Sequence, residues 1–322
     1  MRSTEHRRKR RGGVASRPGA AHRKPLDDSC GERGIATLPL AGAVLGIDVG
    51  YFAKRRSTCF CLLEWSNTSI AVSFALVTAD PTSRRAALSR LMGANRSLLA
   101  VGVDGPLVPG LRRATHYRAA EALLSQGCLQ KRGKPGQTSS PVGQPLHDHA
   151  TQLALLSMEL ATVAPASHYQ PIVTSCIVEA FPNLFLAALI PESKIPELRR
   201  DASDRYWELA LPTALPDLCS RLLPQRTLVH DLSMIANHDE RACIVCALTA
   251  LSVATASHIA VGAESDGDII LPPLDIWGEA NDGRKWLERE LAAALLSWPQ
   301  KASRHDCRVA TSFGPWDVPV VV

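Results

Sequence analysis

Three short apolar runs follow one another early in the chain, with connections too short to hold a helix. They cover residues 43–49, 57–65 and 69–78, and the residues between them are charged or typical of turns. Runs of this kind predict β-strands, and short connections favour antiparallel neighbours. The chain is therefore expected to open with a three-stranded meander.

A helical pattern and further strands come next. Residues 83–92 carry apolar side chains near helical spacing, and residues 97–103 form a buried run that ends at Asp104. A helical crossover favours a parallel strand, and a fifth strand is predicted at residues 172–178. Other predicted helices cover residues 114–128, 149–164, 237 onward and 284–296, with broken helical pieces over 183–225. This order predicts an α/β domain with one mixed sheet flanked by helices.

The ends of the chain differ in composition from its middle. Residues 1–33 hold ten Arg or Lys and four acids, and the whole chain has a net charge of +5, so the remainder is about neutral. A stretch this polar buries little apolar surface. We expect a disordered basic tail over residues 1–40, one domain over 41–298 and a C-terminal tail over 299–322. The basic tail has two interpretations, a phosphate-binding segment or a solvated extension.

Residues 242–263 contain no charged side chain, which approaches the length of a membrane span. Hydroxyl groups and many alanines within the run favour a helix buried in the core. The nine cysteines are odd in number and scattered, so reduced thiols are expected. Cys243 and Cys246 have C-x-x-C spacing but no second pair for zinc, which favours burial. These features predict a cytoplasmic protein with no membrane partner and leave its oligomeric state open.

Two aspartates stand where buried strands end. Asp48 closes the run LGID at residues 45–48, and Asp104 closes VGVD at residues 101–104. An unpaired carboxylate among such side chains costs several kcal/mol or takes up a proton, so each needs a partner. If the two strands are parallel neighbours about 5 Å apart, the carboxylates repel unless a cation lies between them.

Two further acids extend this pattern. Glu179 ends a third apolar run, and Asp239 stands in the first turn of a predicted helix. Oxygen ligands in this number suit Mg²⁺ or Mn²⁺, and two such ions about 4 Å apart can activate water to cleave a phosphodiester. The sequence therefore predicts a metal-dependent nuclease with Asp48, Asp104, Glu179 and Asp239 as catalytic acids.

Each acid also has a plainer explanation. Asp48 and Asp104 lie close to glycines and could be turn residues that close their strands. The helix dipole favours any acid at the position of Asp239, and Glu179 could simply pair with an arginine. The joint pattern favours the metal site over these separate explanations.

Five short stretches together resemble a family of predicted ribonuclease H-fold nucleases, domain of unknown function 429. The stretches are GIDVG at 46–50, VDGP at 103–106, EAFP at 179–182, HDER at 238–241 and GDIILP at 267–272. The resemblance implies a ribonuclease H-like five-stranded sheet of order 3-2-1-4-5, with strand 2 antiparallel, and nuclease activity. It implies metal-site roles for Asp48, Asp104 and Asp239. Residues 51–54, YFAK, depart from the Gly-rich turn that is common in this family.

Basic side chains near these motifs are candidate contacts to phosphates. They are Arg112, Arg113, Arg118, Lys131, Arg132 and Lys134. Part of the set lies in a long irregular segment, residues 130–147, which is typical of a lid or a substrate-contact loop. A solvated helix face and an ordinary surface loop explain the same residues equally well. The expected partner is a nucleic acid, DNA or RNA.

Two other functions fit parts of the pattern. Asp48 and Gly50 followed by Lys54 and Thr58 also resemble the phosphate loop of actin-like ATPases and phosphotransferases. Such proteins need two copies of the fold, and only one complete set of elements is visible. A non-catalytic nucleic-acid-binding module is the third candidate, although the near-neutral charge beyond the tail disfavours binding without the tail.

Overall fold

The computed structural model describes residues 38–93, 97–133, 136–166, 175–195, 202–298, 307–311 and 314–315. Residues 1–37 of the predicted basic tail lie outside these ranges, as does Lys134. The described residues belong to one compact unit.

The described part of the chain alternates strands and helices. The strands are β1 (Gly42–Asp48), β2 (Thr58–Trp65), β3 (Ser69–Val77), β4 (Ala100–Asp104), β5 (Ala164–Pro165), β6 (Cys176–Ala180), β7 (Thr227–Leu228), β8 (Ile259–Ala263), β9 (Gly267–Leu271), β10 (Arg308–Thr311) and β11 (Gly314–Pro315). The helices are α1 (Pro81–Met92), α2 (Ala119–Leu124), α3 (Gly127–Arg132), α4 (Gly143–Leu160), α5 (Pro182–Leu189), α6 (Ala202–Ala210), α7 (Ala214–Leu222), α8 (His238–Ala254) and α9 (Trp286–Ser297).

These strands pair into one mixed sheet. Its order is β11-β10-β8-β9-β6-β4-β1-β2-β3-β7, and β5 pairs with β6 beside this path. The five strands predicted from the sequence are neighbours in the order β3-β2-β1-β4-β6. β2 is antiparallel to β1, whereas β4 is parallel to β1 and β6 is parallel to β4. The α/β class and the mixed sheet are confirmed.

The prediction of five strands is wrong, because eleven strands take part in the sheet of the described residues. β9 continues the sheet parallel to β6, and β8 pairs antiparallel with β9. Residues 308–311, which the sequence assigned to a C-terminal tail, form β10 and pair with β8. Val309 is only 3% exposed there, so this segment gains apolar burial that a tail would lack.

The two faces of the sheet carry separate cores because successive side chains of a strand point to opposite faces. On one face, Val44 of β1 packs in a large cluster with the buried residues of α8. On the other face, Leu45 and Ile47 of β1 pack with buried residues of α1 and α4. The central strands are therefore buried on both sides, as is usual for parallel strands between helix layers.

α8 is the helix that the sequence predicted from a capping residue. The Asn237 Oδ1 accepts hydrogen bonds from the backbone N–H of Asp239 at 2.8 Å and of Glu240 at 3.3 Å. Every residue from Cys243 to Ala254 is buried. The uncharged run at 242–263 is thus divided between a core helix and β8. None of the helices in the described ranges is long and apolar enough to cross a membrane.

Candidate metal centre

Asp48 and Asp104 are direct neighbours at the carboxyl ends of β1 and β4. The two strands are parallel, and Asp48 is the register partner of Asp104. Register partners on adjacent parallel strands point to the same face about 5 Å apart. The adjacency that the sequence predicted for these two acids is therefore present, and we call them the acid pair.

Two glycines let α8 lie directly on the strands that carry the acid pair. Gly46 and Gly102 are register partners two residues earlier, so they open the same face of the sheet. A Cβ on Gly46 would lie 2.2 Å from the carbonyl oxygen of Cys243, and one on Gly102 would lie 2.2 Å from that of Cys246. Any larger side chain would push the helix away. The contact brings the first turn of α8 to the acid pair.

Burial raises the pKa of both acids. The pKa of Asp48 is raised well above its usual value by burial first, then by the charges of Asp104 and Asp239. The pKa of Asp104 is raised to about 7, first by burial and then by the charge of Glu179, while His238 opposes the shift. Within the described ranges, neither acid of the pair forms an ion pair with Arg or Lys. Asp239 thus lies close enough to act on Asp48 electrostatically, as its predicted role in the site requires.

Beside Asp104 lies a cleft of about 90 Å³ whose lining includes Asp204, His238 and Arg241. The Asp204 Oδ1 lies 3.1 Å from the His238 Nδ1 and accepts a hydrogen bond from Arg241 Nη1 at 3.0 Å. A carboxylate placed this way orients the imidazole and leaves its other nitrogen available. These residues had no predicted role, although His238 and Arg241 belong with Asp239 to the HDER stretch. Asp204 lies in α6 and carried no local signal.

Glu179 lies on the opposite face of the sheet from the acid pair. Its register partner is Val103, whereas Asp104 pairs with Ala180. The Glu179 carboxylate accepts hydrogen bonds from Arg118 Nη1 and Nη2, both at 2.7 Å, and from the backbone N–H of Leu107 at 2.8 Å. Pairing with an arginine, the plainer explanation for this acid, is therefore what the structure contains. Glu179 and Asp104 line a common cleft, and the charge of Glu179 raises the pKa of Asp104.

Arg118 is at the centre of a buried network instead of a phosphate-binding surface. It is 1% exposed, and its Nε donates to the Glu121 Oε1 at 2.8 Å. Thr138 completes the network by donating its backbone N–H to the Glu121 Oε2 at 3.1 Å. Although burial lowers the pKa of Arg118, the charges and hydrogen bonds of Glu179 and Glu121 raise it above the usual value. Because its donors are used internally, Arg118 is not available to contact a phosphate, contrary to the prediction.

The other predicted basic contacts divide into two groups. Arg112, Arg113 and Lys131 are exposed. Arg132 is turned inward, because it donates to Glu192 at 3.0 Å and its guanidinium lies 4.6 Å from the ring centroid of Trp286. The segment at 130–147 is also more regular than predicted, since α3 ends at Arg132 and α4 begins at Gly143.

The acid pair offers two carboxylates to a divalent cation. In the described residues, no group of three or more His, Cys, Asp or Glu side chains is arranged to hold a metal ion. Mg²⁺, however, is commonly bound through only one or two carboxylates, with water and substrate phosphates as its other ligands. Two partly buried carboxylates that lack an Arg or Lys partner in the described ranges fit that donor set. The four-acid site expected from the sequence is not assembled.

No family model matches the chain, and no curated protein or solved structure is significantly similar to it. Function is therefore inferred from the geometry of the acid pair and its surroundings.

Proposed function

We propose that this protein is a metal-dependent nuclease with a ribonuclease H-like core and that Asp48 and Asp104 hold its Mg²⁺ or Mn²⁺. The observation that carries this proposal is the in-register pairing of two partly buried aspartates with no Arg or Lys partner in the described ranges. Two such carboxylates stay ionised at neutral pH only if a cation compensates them. The central strand order β3-β2-β1-β4-β6 supports the ribonuclease H-like interpretation.

The metal, when bound, supplies Lewis acidity that lowers the pKa of a water and stabilises charge on phosphate oxygens. Asp48 and Asp104 are fixed by two strands and by the helix above them, so they can hold the cation with little rearrangement. Asp239, in the first turn of α8, adds negative charge beside Asp48 and strengthens attraction for a divalent ion.

His238 is the residue best placed to handle a proton. It is oriented by Asp204 at 3.1 Å and lies in the cleft that Asp104 lines. Phosphodiester hydrolysis removes one proton from the attacking water and delivers one to the leaving oxygen. An imidazole beside the metal ligands is suited to one of these transfers.

The decisive experiment is a cleavage assay of the full chain on single- and double-stranded DNA and RNA with Mg²⁺ or Mn²⁺. Asp48→Asn should lower the cleavage rate by more than about 100-fold, since loss of a residue that only hydrogen-bonds to a metal ligand already lowers activity by about 10- to 100-fold. Asp217→Asn is the matched control, because Asp217 is an exposed acid on α7. Cleavage that is equal in the Asp48→Asn protein would refute the site.

The actin-like alternative is checked with the same preparation. It predicts a tight, Mg²⁺-dependent complex with ATP, measurable by calorimetry. Such a complex without cleavage of any nucleic acid would replace the nuclease proposal.

A further inference from the structure

The loop that joins β1 to β2, residues 49–57, leaves directly from the acid pair; we call it the hairpin loop. Its residues 51–56 are all exposed. Tyr51 is 44% and Phe52 is 49% exposed, and their ring centroids lie 4.6 Å apart with 30° between the ring planes. Aromatic rings are usually buried, so two exposed neighbours indicate a surface that meets a partner.

The hairpin loop is also basic. Lys54, Arg55 and Arg56 follow the two rings, and residues 49–57 contain no acid. Cations attract phosphates, and aromatic rings offer flat faces on which bases stack whatever their sequence. This combination is typical of proteins that bind single-stranded nucleic acid. The bases of a duplex are already stacked on one another, so their faces are not open to these rings.

The base of the hairpin loop is firmly held although its tip is exposed. The carbonyl oxygen of Gly50 accepts hydrogen bonds from Thr58 Oγ1 at 3.2 Å and from the Nη2 of Arg84, which is 2% exposed. The carbonyl oxygen of Phe52 accepts one from the Ala79 N–H at 3.2 Å. A surface fixed before binding loses less conformational entropy when a ligand arrives.

We propose that the hairpin loop binds single-stranded nucleic acid, with bases stacked on Tyr51 and Phe52 and phosphates beside Lys54, Arg55 and Arg56. The inference rests on the proposed function and names its substrate class. Tyr51 is the third residue after Asp48, a span of at most about 11 Å of extended chain. A strand stacked on the rings therefore passes the acid pair within a few nucleotides.

The test is fluorescence anisotropy of labelled 20-nucleotide single-stranded DNA, single-stranded RNA and duplex DNA with the full chain in EDTA. EDTA prevents metal-dependent cleavage, so binding is measured separately from the proposed activity. Tyr51→Ala/Phe52→Ala should raise the Kd for single strands by at least about tenfold, because stacking is worth that much per base, and should leave duplex binding unchanged. This variant keeps every charge of the chain, including those of the basic tail.

Two further variants complete the design. Val229→Ala/Met234→Ala removes apolar side chains that are 65% and 79% exposed and lie outside the hairpin loop, and it should leave the Kd unchanged. Tyr51→Trp keeps a stacking ring and should retain binding. Replacing all three cations of the hairpin loop by Gln should lower the slope of log Kd against log salt by about 2, at about 0.7 per lost phosphate contact.

Several outcomes would overturn the inference. These are no binding of single strands by the wild type, an unchanged Kd in the double alanine variant, an equal loss in the Val229/Met234 control, and tighter binding of duplex. If Tyr51→Ala/Phe52→Ala lost binding to phosphatidylserine vesicles but kept oligonucleotide binding, the hairpin loop would be assigned to a membrane surface instead. If Tyr51→Ala/Phe52→Ala weakened single-strand binding in EDTA but the wild type cleaved no nucleic acid, this inference would stand and the nuclease proposal would be rejected.

Discussion

Glu179 and Asp104 stand near the ends of neighbouring parallel strands, yet they lie on opposite faces of the sheet in different surroundings. Glu179 shares the buried Arg118 with Glu121, at donor–acceptor distances of 2.7 to 2.8 Å. Asp104 faces Asp48 and has no arginine or lysine partner among the described residues. One region brings its own cation and the other does not.

The difference distinguishes acids that stabilise the fold from acids that we propose to bind a metal ion. An internal ion pair fixes its neighbours in place, here Leu107 and Thr138, whose backbone N–H groups donate to Glu179 and Glu121. An uncompensated pair is costly for the folded protein alone, so it persists where an external cation can bind. The comparison therefore predicts that changes in the two regions alter stability in opposite directions.

Removal of the internal cation should have the largest effect. Arg118→Met leaves two buried carboxylates without their partner, which should lower the free energy of unfolding by about 3–5 kcal/mol. Urea denaturation followed by circular dichroism measures this change. Arg205→Met is the control, because it breaks the exposed pair with Glu208 and should cost less than about 1 kcal/mol. Equal losses of stability in the two variants would contradict a structural role of Arg118.

A buried histidine tests how strongly burial disfavours the charged form of a side chain. Burial lowers the pKa of His258 to about 4, and the side chain is 1% exposed. As the pH falls from about 6.5 to 4, His258 becomes protonated in the unfolded chain but stays neutral in the folded chain. The free energy of unfolding should therefore fall by about 3 kcal/mol over that window. In a His258→Phe variant this part of the pH dependence, measured by urea titration, should disappear; an unchanged dependence would contradict the assignment.

Replacing a carboxylate by its neutral amide should change the free energy of unfolding in opposite directions in the two regions. Without metal at pH 8, Asp104→Asn should raise the free energy of unfolding by about 2 kcal/mol, because burial disfavours the ionised carboxylate. Glu179→Gln should lower it by about 2 kcal/mol, because charged hydrogen bonds to Arg118 are lost. The gain from Asp104→Asn should shrink as the pH falls from about 7 toward 4, since the folded wild type then holds its proton. If Asp104→Asn lowered the free energy of unfolding as Glu179→Gln should, the Asp104 carboxylate would have a stabilising partner within the folded protein.

The contrast between the two regions could be predicted from the sequence only in part. Asp48 and Asp104 were found because each closes a buried run and a helical crossover makes their strands parallel. Glu179 closes a similar run, but its face depends on register, and a shift of one residue reverses the face of every side chain. The sequence does not show that Glu179 aligns with Val103 instead of Asp104.

The size of the sheet was missed for a related reason. β8 follows α8 within one uncharged run, and a short apolar segment has the same local pattern in a strand and in a buried helix. β5, β7 and β11 are two residues long and owe their pairing to distant strands. Predictable features were therefore local ones, such as the Asn237 cap and the first three strands, whereas His238, Asp204 and the ion-pair network required the tertiary structure.

The smallest predicted effect is stabilisation by the metal itself. A ligand that binds only the folded state adds RT ln(1 + [L]/Kd), which is about 1.4 kcal/mol at ten times the Kd. Mg²⁺ should therefore raise the free energy of unfolding of the wild type by about 1 kcal/mol at millimolar concentration. Asp48→Asn should abolish the increase, and Glu179→Gln should retain it because its carboxylate belongs to Arg118. Thermal melts over a Mg²⁺ titration, with K⁺ at matched ionic strength, measure the difference. If Glu179→Gln also lost the response, the cation would belong to both regions and the distinction between them would fail.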